Sequence, residues 1–237
     1  MQAKGKLYLI PNTLGDSNPM DVLPQTVQRA IELMNTFVVE NEKDARKFIK
    51  SICPDKIQAD LKLSSLNKRT EKSEHFAMIK PCLEGENIGL MSDAGCPGVA
   101  DPGAAIVKLA HESGIQVIPL VGPSSILLAV MASGMNGQSF AFNGYLPIDK
   151  DEKKATLKNL EKLSADKNQS QLFIETPYRN NKMLDDLLQI LQPSTYVCVA
   201  ADITLPTEYI KTFRVAEWKK IKVDLHNRPC IFIIHKM

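Results

Sequence analysis

The sequence lacks the two glycine motifs that most often mark nucleotide-binding proteins. No G-x-G-x-x-G opens a helix after the first apolar run, and no G-x-x-x-x-G-K-[ST] is present. These absences exclude the usual dinucleotide-binding and P-loop classes. The five cysteines include no C-x-x-C pair with zinc-ligand spacing, and the four histidines are scattered along the chain. We therefore expect no metal site.

The chain also lacks a strong charge imbalance and a long apolar run. Lysine and arginine total 29 against 27 acidic residues, so a net charge of +2 gives no global attraction to RNA or to an anionic membrane. No run reaches the roughly eighteen apolar residues of a membrane span, and the amino terminus has no secretory pattern. We expect a cytoplasmic protein with reduced cysteines that is neither secreted nor inserted into a membrane.

Short apolar runs alternate with segments of helical period in the first half of the chain. The runs at residues 6–10, 37–40, 88–91 and 116–120 are separated by helical patterns, which predicts βαβ units and a parallel sheet. After Gly134 the pattern changes to a second, mixed-sheet α/β unit that includes a charged helix at 149–167. We predict an N-terminal Rossmann-like domain at residues 1–121 and a C-terminal domain at 122–237, with the boundary at the Gly122-Pro123 corner.

Residues 92–103 form the most informative loop of the sequence. They read Ser-Asp-Ala-Gly-Cys-Pro-Gly-Val-Ala-Asp-Pro-Gly and directly follow an apolar strand. Glycine and proline at this density indicate a shaped loop that lets a ligand approach the main chain. Residues 11–16 and 122–125 also follow strands of the same predicted sheet, so the three loops are expected at one edge. Taken singly, each of them is more simply a turn.

Four further motifs follow the 92–103 loop in order along the chain. They are Val-Gly-Pro-Ser-Ser at 121–125, Ala-Ser-Gly at 132–134, Phe-Asn-Gly-Tyr-Leu-Pro at 142–147 and Phe-Ile-Glu-Thr-Pro-Tyr-Arg at 173–179. Together with the loop, these motifs resemble the tetrapyrrole methylase superfamily, and within it the ribosomal RNA small-subunit methyltransferase I group. Residues 200–208 are a weaker match. The resemblance covers nearly the whole chain and implies the tetrapyrrole methylase fold, with two α/β domains and S-adenosylmethionine bound between them.

The resemblance also implies a methyltransferase that acts as a homodimer on a ribose 2′-hydroxyl of 16S ribosomal RNA. By position, the implied cofactor contacts are Pro11, Asp93, Gly95, Val99, Asp101, Ser124, Ser125, Thr176 and Pro177. A hydroxyl is a poor nucleophile until it loses its proton, so Glu40 or Glu175 is a candidate base and Arg179 a candidate charge stabiliser. The alternatives are that Glu40 caps the next helix, that Arg179 pairs with a carboxylate, and that the serines cap a helix.

The chain departs from this group where the substrate is expected. The group's E-D-T-R-H-T-R becomes Glu-Asn-Glu-Lys-Asp-Ala-Arg at 40–46, its H-E-H-N becomes Asn-Lys-Arg-Thr at 67–70, and an Arg-Glu pair becomes Ala201-Asp202. Two rival functions therefore remain, which are methylation of a tetrapyrrole or another small molecule, and cofactor binding without catalysis. Lys68-Arg69 and Lys219-Lys220 with Trp218 are candidate RNA contacts, although solvated surface is the simpler interpretation of both.

Overall fold

The computed structural model describes residues 3–67 and 70–236. The chain divides into two compact units, the first ending at Ser124 and the second beginning at Ser125. The predicted boundary at 121/122 lies three residues earlier, because the helix that opens the second unit starts at Ser125. Lys68-Arg69, a candidate RNA contact, lies outside the described residues.

The first unit contains a parallel sheet of five strands. The strands are β1 (Lys6–Ile10), β2 (Thr36–Val39), β3 (Lys62–Ser65), β4 (Ile88–Met91) and β5 (Gln116–Pro119), in the order β3-β2-β4-β1-β5. Every pair in this sheet is parallel. The parallel sheet predicted from the alternating apolar runs is confirmed, and β1 lies between two strands that are distant from it in sequence.

Helices cover both faces of this sheet. They are α1 (Gln25–Glu32), α2 (Glu42–Ile52), α3 (Lys72–Leu83) and α4 (Ala104–Glu112). Apolar side chains of α1 and α2 share one core with Ile10 and Phe37, and those of α3 and α4 share another with Leu7 and Val38. Because β4 leads to α4 while its neighbours β1 and β2 lead to α1 and α2, the loop after β4 leaves for the opposite face from its neighbours' loops. Ligands of open α/β sheets bind at such a switch point.

A proline and a glycine determine two local features of this unit. Apolar residues at helical spacing over 22–34 predict a helix, and the observed helix is shorter because Pro24 precedes α1 and a separate 3₁₀ turn forms at Pro19–Asp21. Gly89 is required by packing at the centre of β4. A Cβ there would lie 2.5 Å from Phe37 Cδ1 and 2.6 Å from Ile10 Cδ1, so a larger residue would push the core apart.

The second unit contains a mixed sheet with helices. Its strands are β6 (Phe140–Tyr145), β7 (Ser170–Ile174), β8 (Tyr196–Ala201), β9 (Tyr209–Arg214) and β10 (Cys230–His235), and its helices are α5 (Ser125–Ser133), α6 (Lys150–Lys167), α7 (Asn180–Ile190) and α8 (Val215–Trp218). The strand order is β6-β7-β10-β8-β9. Only β6 and β7 pair in parallel, and the other pairs are antiparallel. The predicted second α/β unit with a mixed sheet is confirmed.

Trp218 lies in the core of the second unit. It is fully buried, and its indole N–H donates a 2.8 Å hydrogen bond to the carbonyl of Val197. The hypothesis that Trp218 stacks on an RNA base is therefore wrong, since the ring has no exposed face. The adjacent Lys219 and Lys220 are exposed, which agrees with the solvated-surface interpretation.

The termini of the charged helix α6 follow ordinary capping chemistry. The Asp149 carboxylate accepts 3.0 Å hydrogen bonds from the N–H groups of Asp151 and Glu152, and these bonds hold the pKa of Asp149 below its usual value. At the other end, Asn168 takes the left-handed conformation that closes many helices. Asp149, predicted as the first helical residue, is thus the cap.

The buried imidazole of His235 makes the stability of the second unit sensitive to acid. His235 lies on β10 with its Nδ1 3.4 Å from Ser170 Oγ, and burial lowers its pKa from the usual 6.5. An unfolded chain binds a proton at this residue below about pH 6.5, whereas the folded chain resists it. The free energy of unfolding should therefore fall as the pH drops below 6.5 and level off below the pKa of the folded state.

His235→Gln should flatten this dependence. In the parent protein, we expect urea titrations between about pH 8 and pH 5 to show a fall in the free energy of unfolding. The fall should be about 1.4 kcal/mol for each pH unit between the pKa values of His235 in the unfolded and folded chain. The variant should show no fall from this source. His111→Gln, at an exposed position on α4, is the matched control. Equal acid sensitivity in the parent and in His235→Gln would contradict the assignment.

Candidate functional site

The carboxyl edge of the first sheet gathers most of the predicted site residues. All five strands end there because the sheet is parallel, and the segments after β1, β2, β4 and β5 carry predicted site residues. The residues they carry are Pro11, Glu40, Asp93, Gly95, Val99, Asp101 and Ser124. The expectation that three loops meet at one edge is confirmed, and the end of β2 joins them.

Hydrogen bonds tie the loop after β1 to the loop after β4. The N–H of Asn12 donates to the Gly95 carbonyl at 2.9 Å, and the N–H of Gly95 donates to the Thr13 carbonyl at 3.3 Å. The Asn12 side chain also donates to the Asp93 carbonyl at 3.1 Å, from a buried position. Asn12 was not among the predicted site residues, although its position beside Pro11 in a loop that follows a strand could have indicated it.

Pro11 packs against the loop after β5. A Cβ on Gly122 would lie 2.2 Å from Pro11 Cβ, so only glycine permits this approach. The Cys96 thiol is 3.4 Å from the Pro123 carbonyl, which brings the loop after β4 to the same place. The three predicted ligand loops therefore support one another around Pro11.

The 92–103 loop has an unusual backbone that its own aspartate stabilises. Gly95, Gly98 and Ala100 all have positive φ, and for Ala100 this conformation costs about 1 kcal/mol or more. Both Asp101 carboxylate oxygens accept the N–H of Gly98 at 2.8 Å, and one accepts the N–H of Gly103 at 2.7 Å. Asp101 shapes this loop, and its assignment as a cofactor contact stays a prediction.

Three carboxylates lie near one another at this edge. Burial raises the pKa of Glu40, and the charges of Asp93 and Asp101 raise it further, against a hydrogen bond from the Asp93 backbone. Burial also raises the pKa of Asp93, with a contribution from Asp44, and burial raises the pKa of Asp101 against its two backbone bonds. A carboxylate with a raised pKa accepts a proton more readily than an exposed one, which suits general-base chemistry.

Glu40 does not cap the following helix. Asn41 does so, because its side chain accepts the N–H of Lys43 at 2.9 Å and the N–H of Asp44 at 3.4 Å. Arg46, the other residue kept from the group's motif, donates to the carbonyls of Gln58 at 2.7 Å and Leu61 at 3.5 Å. Arg46 thus anchors the segment before β3, and Glu40 is left half-buried at the strand end.

A cavity of about 260 Å³ lies beside Asp93 within the first unit. Polar groups that sequence reasoning did not single out line it, among them Thr13, Ser17, Asp44 and Lys47. The Ser17 hydroxyl is buried without a hydrogen-bond partner. The loops predicted at 11–16 and 92–103 supply part of its wall, whereas nothing in the sequence marked the part that comes from α2.

The second unit holds Glu175, Thr176, Pro177 and Arg179 after strand β7. The Glu175 carboxylate is 3% exposed and lies 2.7 Å from Arg179 Nη2. The same carboxylate accepts the N–H of Thr176 at 2.7 Å. The alternative that Arg179 pairs with a carboxylate is therefore observed, and a catalytic role for either residue stays a prediction. Thr176 is partly exposed and Pro177 is exposed.

A second ion pair at the end of β8 was not predicted. Asp202 accepts from Arg228 Nε at 2.7 Å and from the Thr207 hydroxyl at 2.9 Å, and Arg228 Nη2 donates to the Thr207 carbonyl at 2.6 Å. The carboxyl ends of β7 and β8 lie at the same edge because both are antiparallel to β10. The aspartate that replaces the group's acidic residue thus has a structural partner 26 positions away.

The remaining predictions concern α5, metals and membranes. Helix α5 begins at Ser125, with Ser124 directly before it. Across residues 3–67 and 70–236, no three histidine, cysteine, aspartate or glutamate side chains come together as a metal site. Within the same residues, no helix has both the length and the apolar character needed to cross a membrane.

The five cysteines are free thiols in the structure. Burial raises the pKa of Cys53, Cys82 and Cys198 to about 11 and that of Cys230 to about 12. Cys96 is the partly exposed one. Thiols with such raised pKa values are poor nucleophiles, so none of these four is suited to covalent catalysis.

The chain is similar to known methyltransferases along most of its length. The model of the family "Tetrapyrrole (Corrin/Porphyrin) Methylases" matches residues 6–219. The ribosomal RNA small subunit methyltransferase I of Escherichia coli O157:H7 is 29% identical over 235 residues, which are 98% of this chain and 78% of that protein. The enzyme of the same name from Vibrio cholerae is 30% identical over 211 residues, 89% of this chain and 69% of that protein.

A solved structure gives the same fold. It is the uroporphyrin-III C-methyltransferase of Thermus thermophilus in complex with S-adenosylhomocysteine, with a TM-score of 0.57, 15% identity and coverage of 98% of both chains. The fold and the family inferred from the ordered motifs are confirmed. The chain belongs to the tetrapyrrole (corrin/porphyrin) methylase family and is an S-adenosylmethionine-dependent methyltransferase.

Proposed function

We propose that this methyltransferase modifies a ribose 2′-hydroxyl of the small-subunit ribosomal RNA. The observation that carries the proposal is the match to ribosomal RNA small subunit methyltransferase I over 98% of the chain. The carboxylates at the edge of the first sheet support it, because a hydroxyl acceptor must lose a proton during methyl transfer. The resemblance further supports a cytoplasmic homodimer.

The loop residues of the first unit fit S-adenosylmethionine. At Gly98, whose φ is positive, a Cβ would meet nothing within 4 Å, which leaves open space beside the main chain. Val99 is 50% exposed and offers an apolar contact, while the exposed Asp93 offers a carboxylate for an amine or hydroxyl. We assign these residues to the cofactor with Pro11, Gly95, Asp101, Ser124, Ser125, Thr176 and Pro177.

The cofactor supplies a methyl group that is already activated on a sulfonium. The protein's own residues have to position the acceptor oxygen in line, exclude water and remove the hydroxyl proton. Glu40 is our candidate for the last task, because its pKa is raised and Asn41, not Glu40, caps α2. Glu175 and Arg179 neutralise each other, so we assign them to anchoring the segment that carries Thr176 and Pro177.

Methyl-label transfer to ribosomal particles tests the proposed acceptor. Small subunits from a strain that lacks this protein should accept label from S-adenosylmethionine at one ribose, because that position is unmodified in them. Mapping the mark by primer extension or mass spectrometry identifies it, and subunits from the parent strain serve as the control. Transfer to a small molecule but not to RNA would replace the proposal, and cofactor binding without any transfer would point to a non-catalytic protein.

Glu40→Gln should lower the single-turnover rate of methyl transfer by about 10²- to 10⁴-fold, because the amide still accepts a hydrogen bond but cannot take the proton. In the parent protein the rate should rise with pH through the pKa of Glu40, which lies above its usual 4.5. The rate of the variant should not show this rise with pH. Glu42→Gln, at an exposed glutamate two positions away, is the matched control. An unchanged rate in Glu40→Gln would exclude Glu40 as the base.

Glu175 and Arg179 should behave as one stabilising unit. We expect Glu175→Gln and Arg179→Gln each to reduce the free energy of unfolding by about 1–3 kcal/mol, since the first leaves the partly exposed guanidinium of Arg179 and the second leaves the buried carboxylate of Glu175 without its charged partner. In the double variant, urea titrations should show a coupling energy of about 0.5–3 kcal/mol. A fully folded Glu175→Gln variant whose transfer rate falls more than about 100-fold would instead support general-base catalysis by Glu175.

A further inference from the structure

Helix α6 carries a line of exposed lysines along one side. Lys150, Lys154, Lys158 and Lys162 recur at every fourth residue, which places them on neighbouring turns of one helix face. At a rise of 1.5 Å per residue, the line extends about 18 Å along the helix axis. All four side chains are exposed. We refer to these four residues as the lysine face.

The four lysines form no ion pair with a carboxylate in the described part of the chain. Asp151 and Asp166 lie three or four residues from Lys154 and Lys162 on the same helix and are exposed, but the ion pairs found there do not include them either. Glu161 is buried and accepts the Gln192 N–H at 2.8 Å and the Thr195 hydroxyl. Asp186 already pairs with Lys153 at 3.3 Å and with Lys182 at 2.7 Å.

The lysine face borders a cavity. The space between α6 and α7 measures about 330 Å³ and is lined by Lys150, Lys154 and Lys158 with the buried Lys153, and by Asp186, Gln189 and Ile190 on the α7 side. The lining holds four ammonium groups against one carboxylate, and that carboxylate is shared by two lysines. Such a concave, positively charged surface favours an anionic ligand.

We infer that the lysine face binds the phosphate backbone of the RNA substrate, an inference that rests on the proposed function. Ammonium groups spaced about 6 Å apart along an axis can each contact a separate phosphate. No large apolar side chain is exposed on α6 itself, so the helix lacks the apolar face with which amphipathic helices enter a membrane. The net charge of the whole chain gives no indication of the lysine face, because acidic residues elsewhere balance its positive charge.

RNA binding at varied salt tests the inference. The parent protein, the variant Lys150→Gln/Lys154→Gln/Lys158→Gln/Lys162→Gln and an all-arginine variant at the same four positions would be titrated with a fluorescent 16S ribosomal RNA fragment between 50 and 200 mM KCl. We expect the glutamine variant to bind at least 10-fold more weakly at 100 mM salt. Its slope of log K against log salt should be smaller by about 3, for four lost contacts at about 0.7–0.9 each. The arginine variant should retain binding, since it keeps the charges.

A charge-matched control separates this face from a general loss of positive charge. Lys62→Gln/Lys72→Gln/Lys80→Gln/Lys108→Gln removes the same charge from exposed positions of the first unit and should bind RNA as the parent does. The far-UV circular dichroism and melting temperature of each variant show that it is folded. In methyl transfer, the glutamine variant should raise KM for the small subunit while kcat stays within about 2-fold, because lost phosphate contacts weaken the binding of the ground state and of the transition state alike.

The inference and the proposed function fail in different ways. Unchanged RNA affinity and salt slope in the glutamine variant, or equal losses in the control, overturn the inference even where the parent methylates ribosomal RNA. A parent protein that transfers no methyl group to ribosomal particles overturns the proposed function, and the RNA titration still decides on the lysine face. A parent that binds no RNA at 50 mM salt overturns the inference directly.

Discussion

The pairing of Asn12 and Thr13 with Gly95 is the constraint on which the candidate site depends. Two backbone hydrogen bonds join the loops after β1 and β4, and the Asn12 side chain adds a third to the Asp93 carbonyl. The long loop is held further by its internal bonds to Asp101 and by the contact of the Cys96 thiol with the Pro123 carbonyl. These bonds hold Asp93 at the edge of the sheet, and the charge of Asp93 adds to the burial that raises the pKa of Glu40.

The two units differ in the kind and the pairing of their charged side chains. Carboxylates with raised pKa values lie at the strand ends of the first unit. The second unit carries paired charges after β7 and β8, and an unpaired row of lysines on α6. This division suits an enzyme in which one region handles a proton and a zwitterionic cofactor while another holds a polyanion. Because opposite charges cancel over the chain, the net charge of +2 reveals neither region.

Much of the fold could be predicted from the sequence, because its signals are local. Apolar runs such as residues 88–91 identified the strands, and the glycines and prolines at 92–103 identified the loop. Long-range pairing left no such signal. The Arg228–Asp202 ion pair, the buried Trp218 and the bonds of Asn12 depend on which segments meet in space. Trp218 was misjudged because adjacent lysines suggested exposure, whereas its ring packs inward from the one-turn helix α8.

The interior position of β1 in its sheet has a consequence for synthesis of the protein. Its partners are β4 and β5, which lie about 80 and 110 residues later in the chain. In a nascent chain, one edge of the first strand therefore lacks its partner until Met91 has emerged and the other until Pro119 has emerged, and such edges invite pairing with other chains. β4 also has to pack tightly against Phe37 and Ile10 when it pairs, and Gly89 is the residue that permits this packing. The sheet of the first unit can be completed only after most of this unit has been synthesised, and slow translation before residue 116 prolongs the time for which β1 lacks a partner.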